Sequence, residues 1–283
     1  MLTSFNFITI HKLLNFIIEQ LSMFSDNELE AKKIICYIFN YSNTNLILNL
    51  NKIIEIKEIN LIYYIIKNKV LSKPISYILG YKDFWKNRFF VNRKVLIPRL
   101  ETEFLINLLI QKLSKKKIYK FLDLGTGCGS IILSIAKEFP YSKFIGIDIS
   151  ESALKIATLN AKILGLSQKV VFIKSNWFDK IIKGNTFDVI ITNPPYVSFY
   201  DYIRLNNFIK NYEPRNSLTD EKDGLQNYRI IVNQANKFLN FGGMLLFEIG
   251  YNQEFTIKQL LNSINTQYFR DIKNVLRAAI VIK

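Results

Sequence analysis

Four residues, Asn193-Pro194-Pro195-Tyr196, offer the most unusual chemistry in the chain. They come after the apolar run Val189-Ile190-Ile191. Prolines lack a backbone N–H, so two in succession stop a strand ladder and stiffen the backbone beyond it. The result is a rigid corner with two acceptors, the Asn193 side-chain carbonyl and the Pro194 main-chain carbonyl. Two such acceptors can receive both hydrogens of a planar –NH2 group, in an amide or a nucleobase. That nitrogen is a poor nucleophile, because its lone pair is delocalised. Holding both N–H bonds aims the lone pair at an electrophilic methyl group and stabilises the positive charge that develops on nitrogen. Tyr196 adds a flat face or an edge. The reaction needs no histidine base, since the proton can leave to water. The competing reading is a plain turn after a strand.

A second constellation lies upstream. In DLGTGCGS, residues 123–130, Gly125, Gly127 and Gly129 come after a short apolar strand and open a helix. Glycines let backbone turn tightly and approach a ligand. About 20 residues on, the next strand ends at Asp148, where a carboxylate can accept the hydroxyls of a ribose. The spacing is G-x-G-x-G, unlike the G-x-G-x-x-G of dinucleotide sites. A cofactor with a nucleoside but no pyrophosphate fits, such as S-adenosylmethionine. Trp177 could pack beside its adenine, and the Asn176 carbonyl could accept from the adenine amino group. For Trp177, simple core packing is the alternative.

These residues need a scaffold that brings strand ends together. Segments 118–125, 143–150, 169–175, 187–193 and 242–250 read as strands. GSIILSIAKEF and ESALKIATLNAKILG read as helices between them, and helices are expected over 225–239 and 253–263. Strand–helix alternation at this spacing predicts an α/β fold, a Rossmann-like domain with a parallel sheet covered on both faces. Ligands in such sheets bind at the carboxyl ends of the strands. The N-terminal region differs. Residues from about 9 to 80 read as helical, with apolar residues at helical spacing, and predict a small helical bundle over 1–80. Aromatic–polar alternation over 81–97 predicts a hairpin joining it to a catalytic domain at 98–283.

Composition limits the alternatives. The chain has 283 residues, 49% of them hydrophobic, and a formal net charge of +15. The charge allows a polyanionic partner, but lysines are spread along a chain rich in Ile, Asn, Tyr and Phe, as an AT-rich coding sequence would produce. The single histidine, His11, lies far from both motifs, which argues against a Ser-His-Asp triad or a His-ligated zinc. Cys36 and Cys128 have no metal-ligand spacing, so no metal is expected. The opening MLTSFNFITIHKLL lacks the charged start and cleavage site of a signal peptide. With no long apolar run either, a cytoplasmic protein without membrane contact is expected.

Taken in order along the chain, these motifs resemble the protein-(glutamine-N5) methyltransferases that modify peptide chain release factors. PISYILGYKDFW and VLIPRLETE are similar to that family's linker signature. DLGTGCGSI, GIDIS and NPPYV match in order and spacing, and YEPRNSLTDEKDGLQNYRII resembles the next signature. Asp271 with Arg277 resembles its C-terminal end. The resemblance implies that Gly125, Thr126, Gly127, Cys128, Gly129, Asp148 and Trp177 contact S-adenosylmethionine. It implies that Asn193, Pro194, Pro195 and Tyr196 hold the glutamine of a Gly-Gly-Gln motif, with Asn193 also near the cofactor. Arg99 and Glu101 would support the site, and Glu213 and Arg215 would order the loop after the corner. A release factor would be the protein partner of a monomeric enzyme, with no direct nucleic-acid binding required. NPPY is shared with methyltransferases acting on the amino groups of adenine or cytosine, which is the alternative substrate class; a binding module with a degenerate site is a third reading. Three departures concern loops: Leu100 stands in place of a proline, a glycine pair is missing before Asp223-Gly224, and Asn274 replaces a glycine.

Overall fold

The computed structural model describes residues 7–55, 57, 59–262 and 264–283. The chain divides into two compact units, Met1–Gly80 and Tyr81–Lys283.

The first unit contains β1 (Phe7–Thr9), α1 (Ile10–Gln20), α2 (Asn27–Phe39), α3 (Asn43–Leu48), β2 (Ile53–Glu55), α4 (Ile59–Val70) and α5 (Ile75–Leu79). Its core is the set of apolar stripes read from the sequence. Leu13, Leu14 and Ile17 of α1 are buried, with Ile34 and Ile35 of α2 and Ile62, Ile65 and Ile66 of α4. The Thr9 side chain caps α1 by accepting from Lys12 N at 3.3 Å. One feature was not expected: β1 and β2 pair antiparallel, with Ile8 opposite Ile54. Three residues each, FIT and IIE are too short to show alternation, yet they are rich in β-branched side chains.

The second unit opens with a hairpin, β3 (Tyr81–Phe84) and β4 (Asn87–Phe90), in which Tyr81 lies opposite Phe90. Phe84 and Phe89 are buried in the main core of this unit. A short 3-10 turn (Leu100–Thr102) then leads into α6 (Glu103–Lys112). The remaining elements are β5 (Lys120–Leu124), α7 (Ser130–Glu138), β6 (Lys143–Asp148), α8 (Glu151–Ile163), β7 (Val170–Lys174), β8 (Phe187–Thr192), α9 (Phe199–Arg204), α10 (Asn207–Lys210), α11 (Gln226–Phe238), β9 (Leu239–Glu248), α12 (Glu254–Leu260), β10 (Thr266–Arg270) and β11 (Leu276–Ile282).

Seven strands form one sheet in the order β10-β11-β9-β8-β5-β6-β7. The five strands from β9 to β7 are parallel, as expected. The sheet is mixed, however, because β11 runs antiparallel to both β9 and β10. Apolar clusters fill both faces, one with Phe121, Ile132 and Val189, the other with Leu122, Ile190 and Phe247. Adjacent residues of β5 and of β8 thus point to opposite layers, which is why their sequences read as unbroken apolar runs. The chain order reverses direction between β5 and β8, and a ligand crevice is expected at that switch point, outside the strands' carboxyl ends.

Candidate active site

The glycine loop leaves β5 at Leu124. Gly125, Gly127 and Gly129 have φ of +71°, +55° and +82°, the left-handed region that side chains resist. At Gly129 space also requires glycine, since a Cβ would lie 2.9 Å from Leu133 Cδ1 and 3.3 Å from Ala157 Cβ. The loop is tied down by hydrogen bonds from near and far. The Thr126 hydroxyl donates to Asp123 Oδ2 at 2.6 Å, and Gly127 N donates to Asp148 Oδ2 at 2.9 Å. From α8, the buried Asn160 amide donates to the carbonyls of Cys128 (2.9 Å) and Phe90 (3.0 Å), while its oxygen accepts from Phe90 N at 2.7 Å. One side chain thereby joins the hairpin to the loop.

Asp123 is wholly buried, and burial pushes its carboxyl up to about 7. Its Oδ1 has no hydrogen-bond partner among the described residues. Burial also raises the Asp148 pKa, against the hydrogen bonds from Ser150 N (2.8 Å) and Gly127 N. Each Asp148 oxygen has a second lone pair left for a ligand hydroxyl. The Cys128 thiol is buried and pushed up to about 11, so at neutral pH it is a small inert side chain.

The corner continues from β8, on the neighbouring strand end. Asn193 Nδ2 donates to Thr102 Oγ1 at 3.0 Å. This leaves Asn193 Oδ1 facing elsewhere, with no donor among the described residues. The Pro194 carbonyl is likewise without a donor among them. The Pro195 carbonyl is occupied, accepting from Asn227 Nδ2 at 2.7 Å. The Tyr196 carbonyl accepts from Gln253 Nε2 at 3.0 Å, and its phenol donates to Glu248 Oε1 at 3.3 Å. Burial, then the Glu248 charge, holds the Tyr196 phenol far above its ordinary pKa, so it stays a donor. Glu248 is 2% exposed; burial pushes it up to about 7, and its Oε2 has no hydrogen-bond partner among the described residues. The Tyr228 phenol donates to the Glu248 main-chain carbonyl at 2.9 Å.

Two cavities meet at this corner. The larger, about 330 Å³, is lined by Gly125, Gly127, Asp148, Asn176, Trp177, Asn193 and Pro195. The smaller, about 150 Å³, is lined by Leu96, Arg99, Asn193, Pro194, Tyr196 and residues of the loop beyond the corner. Asn193 belongs to both. Of the residues singled out from sequence, Thr126, Cys128 and Gly129 do not line the larger cavity; they shape the loop behind it. Trp177 adopts φ +48°, and its ring lies 3.7 Å from where a Gly125 Cβ would be.

The supporting residues are partly as expected. Arg99 Nη2 donates to the buried Glu213 at 2.6 Å, and Glu213 Oε2 also accepts from Ile97 N at 3.2 Å. Arg215 makes a two-pronged pair with Glu221 at 2.6 and 2.5 Å. Glu101 is exposed, and its neighbour Thr102 touches the corner instead. Sequence reading missed Thr102, Asn227, Glu248 and Gln253. The only signal for Glu248 was a charged residue closing the apolar run MLLFE.

Two of the loop departures stand beside or at left-handed backbone positions. Glu221, in the stretch lacking glycines, takes φ +60°, held by Arg215 and by Asp220, whose carboxylate accepts from the N–H groups of Lys222, Gly224 and Gln226. Asn274 takes φ +61°, which asparagine tolerates better than most residues. Leu100 is exposed at the start of the 3-10 turn.

The chain is similar to known methyltransferases. A family profile described as a methyltransferase domain matches residues 115–277. The release factor glutamine methyltransferase of Fusobacterium nucleatum is 42% identical over 202 residues, covering 71% of this chain and 57% of the relative. That of Buchnera aphidicola subsp. Schizaphis graminum is 34% identical over 257 residues, covering 90% of this chain and 92% of the relative. The chain spans about half the length of several matching bifunctional methyltransferases of Rickettsia species. Among solved structures, the hMettl16 catalytic domain, in complex with an RNA hairpin, aligns with a TM-score of 0.54 at 14% identity, over 68% of this chain and 74% of that one. At that identity the likeness concerns the fold alone.

Proposed function

The chain belongs to the release factor glutamine methyltransferase family, and from that premise we propose that it methylates N5 of the glutamine in the Gly-Gly-Gln motif of a peptide chain release factor. The observation that carries the reading is Asn193 standing between two cavities, with its own oxygen and the Pro194 carbonyl unoccupied by any donor among the described residues.

The larger cavity suits S-adenosylmethionine. Its donor set is a glycine-lined wall, a carboxylate with lone pairs to spare for ribose hydroxyls, and an amide and an indole for a base. Gly125, Gly127, Asp148, Asn176, Trp177 and Asn193 would hold it, with Thr126, Cys128 and Gly129 keeping the loop in shape. When bound, the cofactor supplies an electrophilic sulfonium methyl group.

The smaller cavity would take the glutamine side chain. Asn193 Oδ1 and the Pro194 carbonyl accept the two amide hydrogens, which fixes the plane of the –NH2 group. Pro195 stiffens the turn, and the Tyr196 ring forms a wall. As positive charge grows on the nitrogen, the two carbonyl dipoles stabilise it without having to reorganise. The apolar lining from Leu96, Val197 and Ile209 limits water at the nitrogen. The nitrogen's proton leaves to solvent afterwards.

The N-terminal helical unit, residues 1–80, would help grip the release factor, in the cytoplasm and as a monomer. Among the described residues no helix is long and apolar enough to cross a membrane. A base amino group as substrate is less favoured, because relatives matching nearly the whole chain are named for glutamine methylation.

The test is mass spectrometry of a release factor incubated with the enzyme and S-adenosylmethionine. One added methyl on the Gly-Gly-Gln glutamine is expected. Labelling that survives replacement of that glutamine by alanine would overturn the assignment.

A further inference from the structure

A buried carboxyl behind the acceptor corner takes no direct part in the methyl transfer. Glu248 ends β9, and the Cα partners Thr192 and Phe247 set it beside the start of the corner. Its carboxylate is 2% exposed, and Oε2 lacks a hydrogen-bond partner. An unsatisfied buried carboxylate oxygen costs stability, so the position is expensive to keep.

Its surroundings connect it to Asn193. Tyr196, a corner residue, donates its phenol to Oε1. Thr102 neighbours the same carboxyl and favours its charged form; no hydrogen bond joins the two in this structure, and Oε2 is the oxygen left without a partner among the described residues. Thr102 is at the N-cap position of α6, where a threonine hydroxyl ordinarily accepts from the helix's first N–H groups. Here it makes no cap bond; its oxygen accepts from Asn193 Nδ2 at 3.0 Å. A hydroxyl has one hydrogen. With its oxygen accepting from Asn193, that hydrogen is free to turn to the carboxylate beside it.

We propose that Glu248 is a positioning residue that acts through Thr102 to hold the Asn193 amide with its oxygen toward the substrate. An ionised carboxylate can only accept. It therefore keeps Thr102 as a donor toward Glu248 and as an acceptor toward Asn193. If Glu248 gains a proton, it can donate to Thr102. The threonine hydrogen is then released toward Asn193, whose amide can turn over and present –NH2 to the substrate's own –NH2. The second link, from Tyr196, holds the ring that walls the smaller cavity. The groups facing Glu248 are the Thr102 and Tyr196 hydroxyls, the Arg277 guanidinium of β11, and Glu101, with the Tyr228 phenol on its main-chain carbonyl. Burial and Glu101 favour the protonated form, whereas Thr102, Tyr196 and Arg277 favour the ionised one. The inference rests on the reading of the corner as an acceptor of an amide substrate.

The test uses the full chain. In wild type, kcat is expected to rise with pH through about 7. In Glu248→Gln that rise disappears and kcat falls on the order of ten- to a hundredfold, the usual range for groups that orient a ligand from behind. S-adenosylmethionine affinity by calorimetry stays within about twofold. Thr102→Val gives a similar loss, and Thr102→Ser, which keeps the hydroxyl, recovers most of it. A wild-type kcat and pH profile in Glu248→Gln, or a wild-type kcat in Thr102→Val, overturns the proposal. So does a loss of cofactor affinity as large as the loss of kcat, which marks general damage. A substrate-free readout separates this from the substrate assignment: the Asn193 side-chain amide resonance, identified by its absence in Asn193→Ala. It is expected to titrate near neutral pH in wild type and not in Glu248→Gln. If it titrates while no release factor is methylated, the substrate reading fails alone. If the release factor is methylated while the resonance ignores Glu248, the positioning role fails alone.

Discussion

The two halves of the site are built on opposite plans. Each hides a buried carboxyl with one unpartnered oxygen, Asp123 behind the glycine loop and Glu248 behind the acceptor corner, and burial pushes both up to about 7. Asp123 acts on its own neighbourhood, binding Thr126 three residues along. Glu248 serves residues distant in sequence: Tyr196 is 52 positions away, and the Asn193–Thr102 bond beside it spans 91. The loop's shape comes first from glycines in left-handed conformations, which the chain carries locally, with Asp148 and Asn160 holding the loop's backbone from farther along. The corner's aim comes from side chains that only strand pairing brings together. The loop should therefore fail mainly on changes to its own glycines, and the corner mainly on changes at residues far along the chain.

The sharpest break in that comparison is Asn193→Ala. Removing a charge-stabilising acceptor should lower the methyl-transfer rate by on the order of a thousandfold and leave cofactor affinity within about twofold, read by single-turnover kinetics and calorimetry. Equal losses in both would mean the two halves are one unit.

The next effect is the pH dependence of stability. The folded carboxyls of Asp123 and Glu248 bind protons more tightly than the unfolded ones, whose ordinary values are 3.8 and 4.5. Their contribution is therefore present in full below those values and is lost as pH rises through about 7. Asp123→Asn and Glu248→Gln should each gain on wild type by on the order of 2–4 kcal/mol between pH 4 and pH 8, measured by urea unfolding at both pH values. A gain that does not change with pH would show that these carboxyls titrate normally.

Two glycines then separate the halves directly. A Cβ at Gly224 would meet the Tyr196 carbonyl at 2.5 Å at φ +81°. Gly224→Ala should lower kcat by roughly tenfold through the corner, with a smaller change in cofactor affinity, at a strain of about 1–3 kcal/mol. Gly129→Ala meets Leu133 and Ala157 and should weaken cofactor binding more than kcat, by a comparable factor. A reversed pattern in either variant would break the division.

The smallest effect is expected at Gly127, where a Cβ meets nothing within 4 Å. Gly127→Ala carries only the backbone strain of φ +55°, about 1 kcal/mol. A loss as large as that of Gly129→Ala in thermal melting would show that the loop is held by more than backbone conformation.

Legibility in the sequence divides along the same line. The five parallel strands were legible as short apolar runs, and α7, α8, α11, α12 and the main helices of residues 1–80 by their apolar stripes; the short α9 and α10 were not read. Residues 103–112 were not assigned: Phe104 and Ile110 are apolar as well, so FLINLLI reads as a nearly continuous apolar run that masks the helical spacing of the buried Leu105, Ile106, Leu108 and Leu109. The antiparallel β10 and β11 were also missed. TQYFR alternates weakly, and β11 gains its meaning by pairing with β9 more than 30 residues earlier in the chain.

The sequence by itself determined the glycine loop, the carboxylate that ends β6 and the stiff Asn-Pro-Pro-Tyr turn. Conformational freedom, charge and a missing N–H are properties of the residues themselves. Only the tertiary structure decided which way Asn193 faces, because an amide has two ends of nearly equal size. Its orientation is set by the hydroxyl of Thr102, placed against it by the turn into α6.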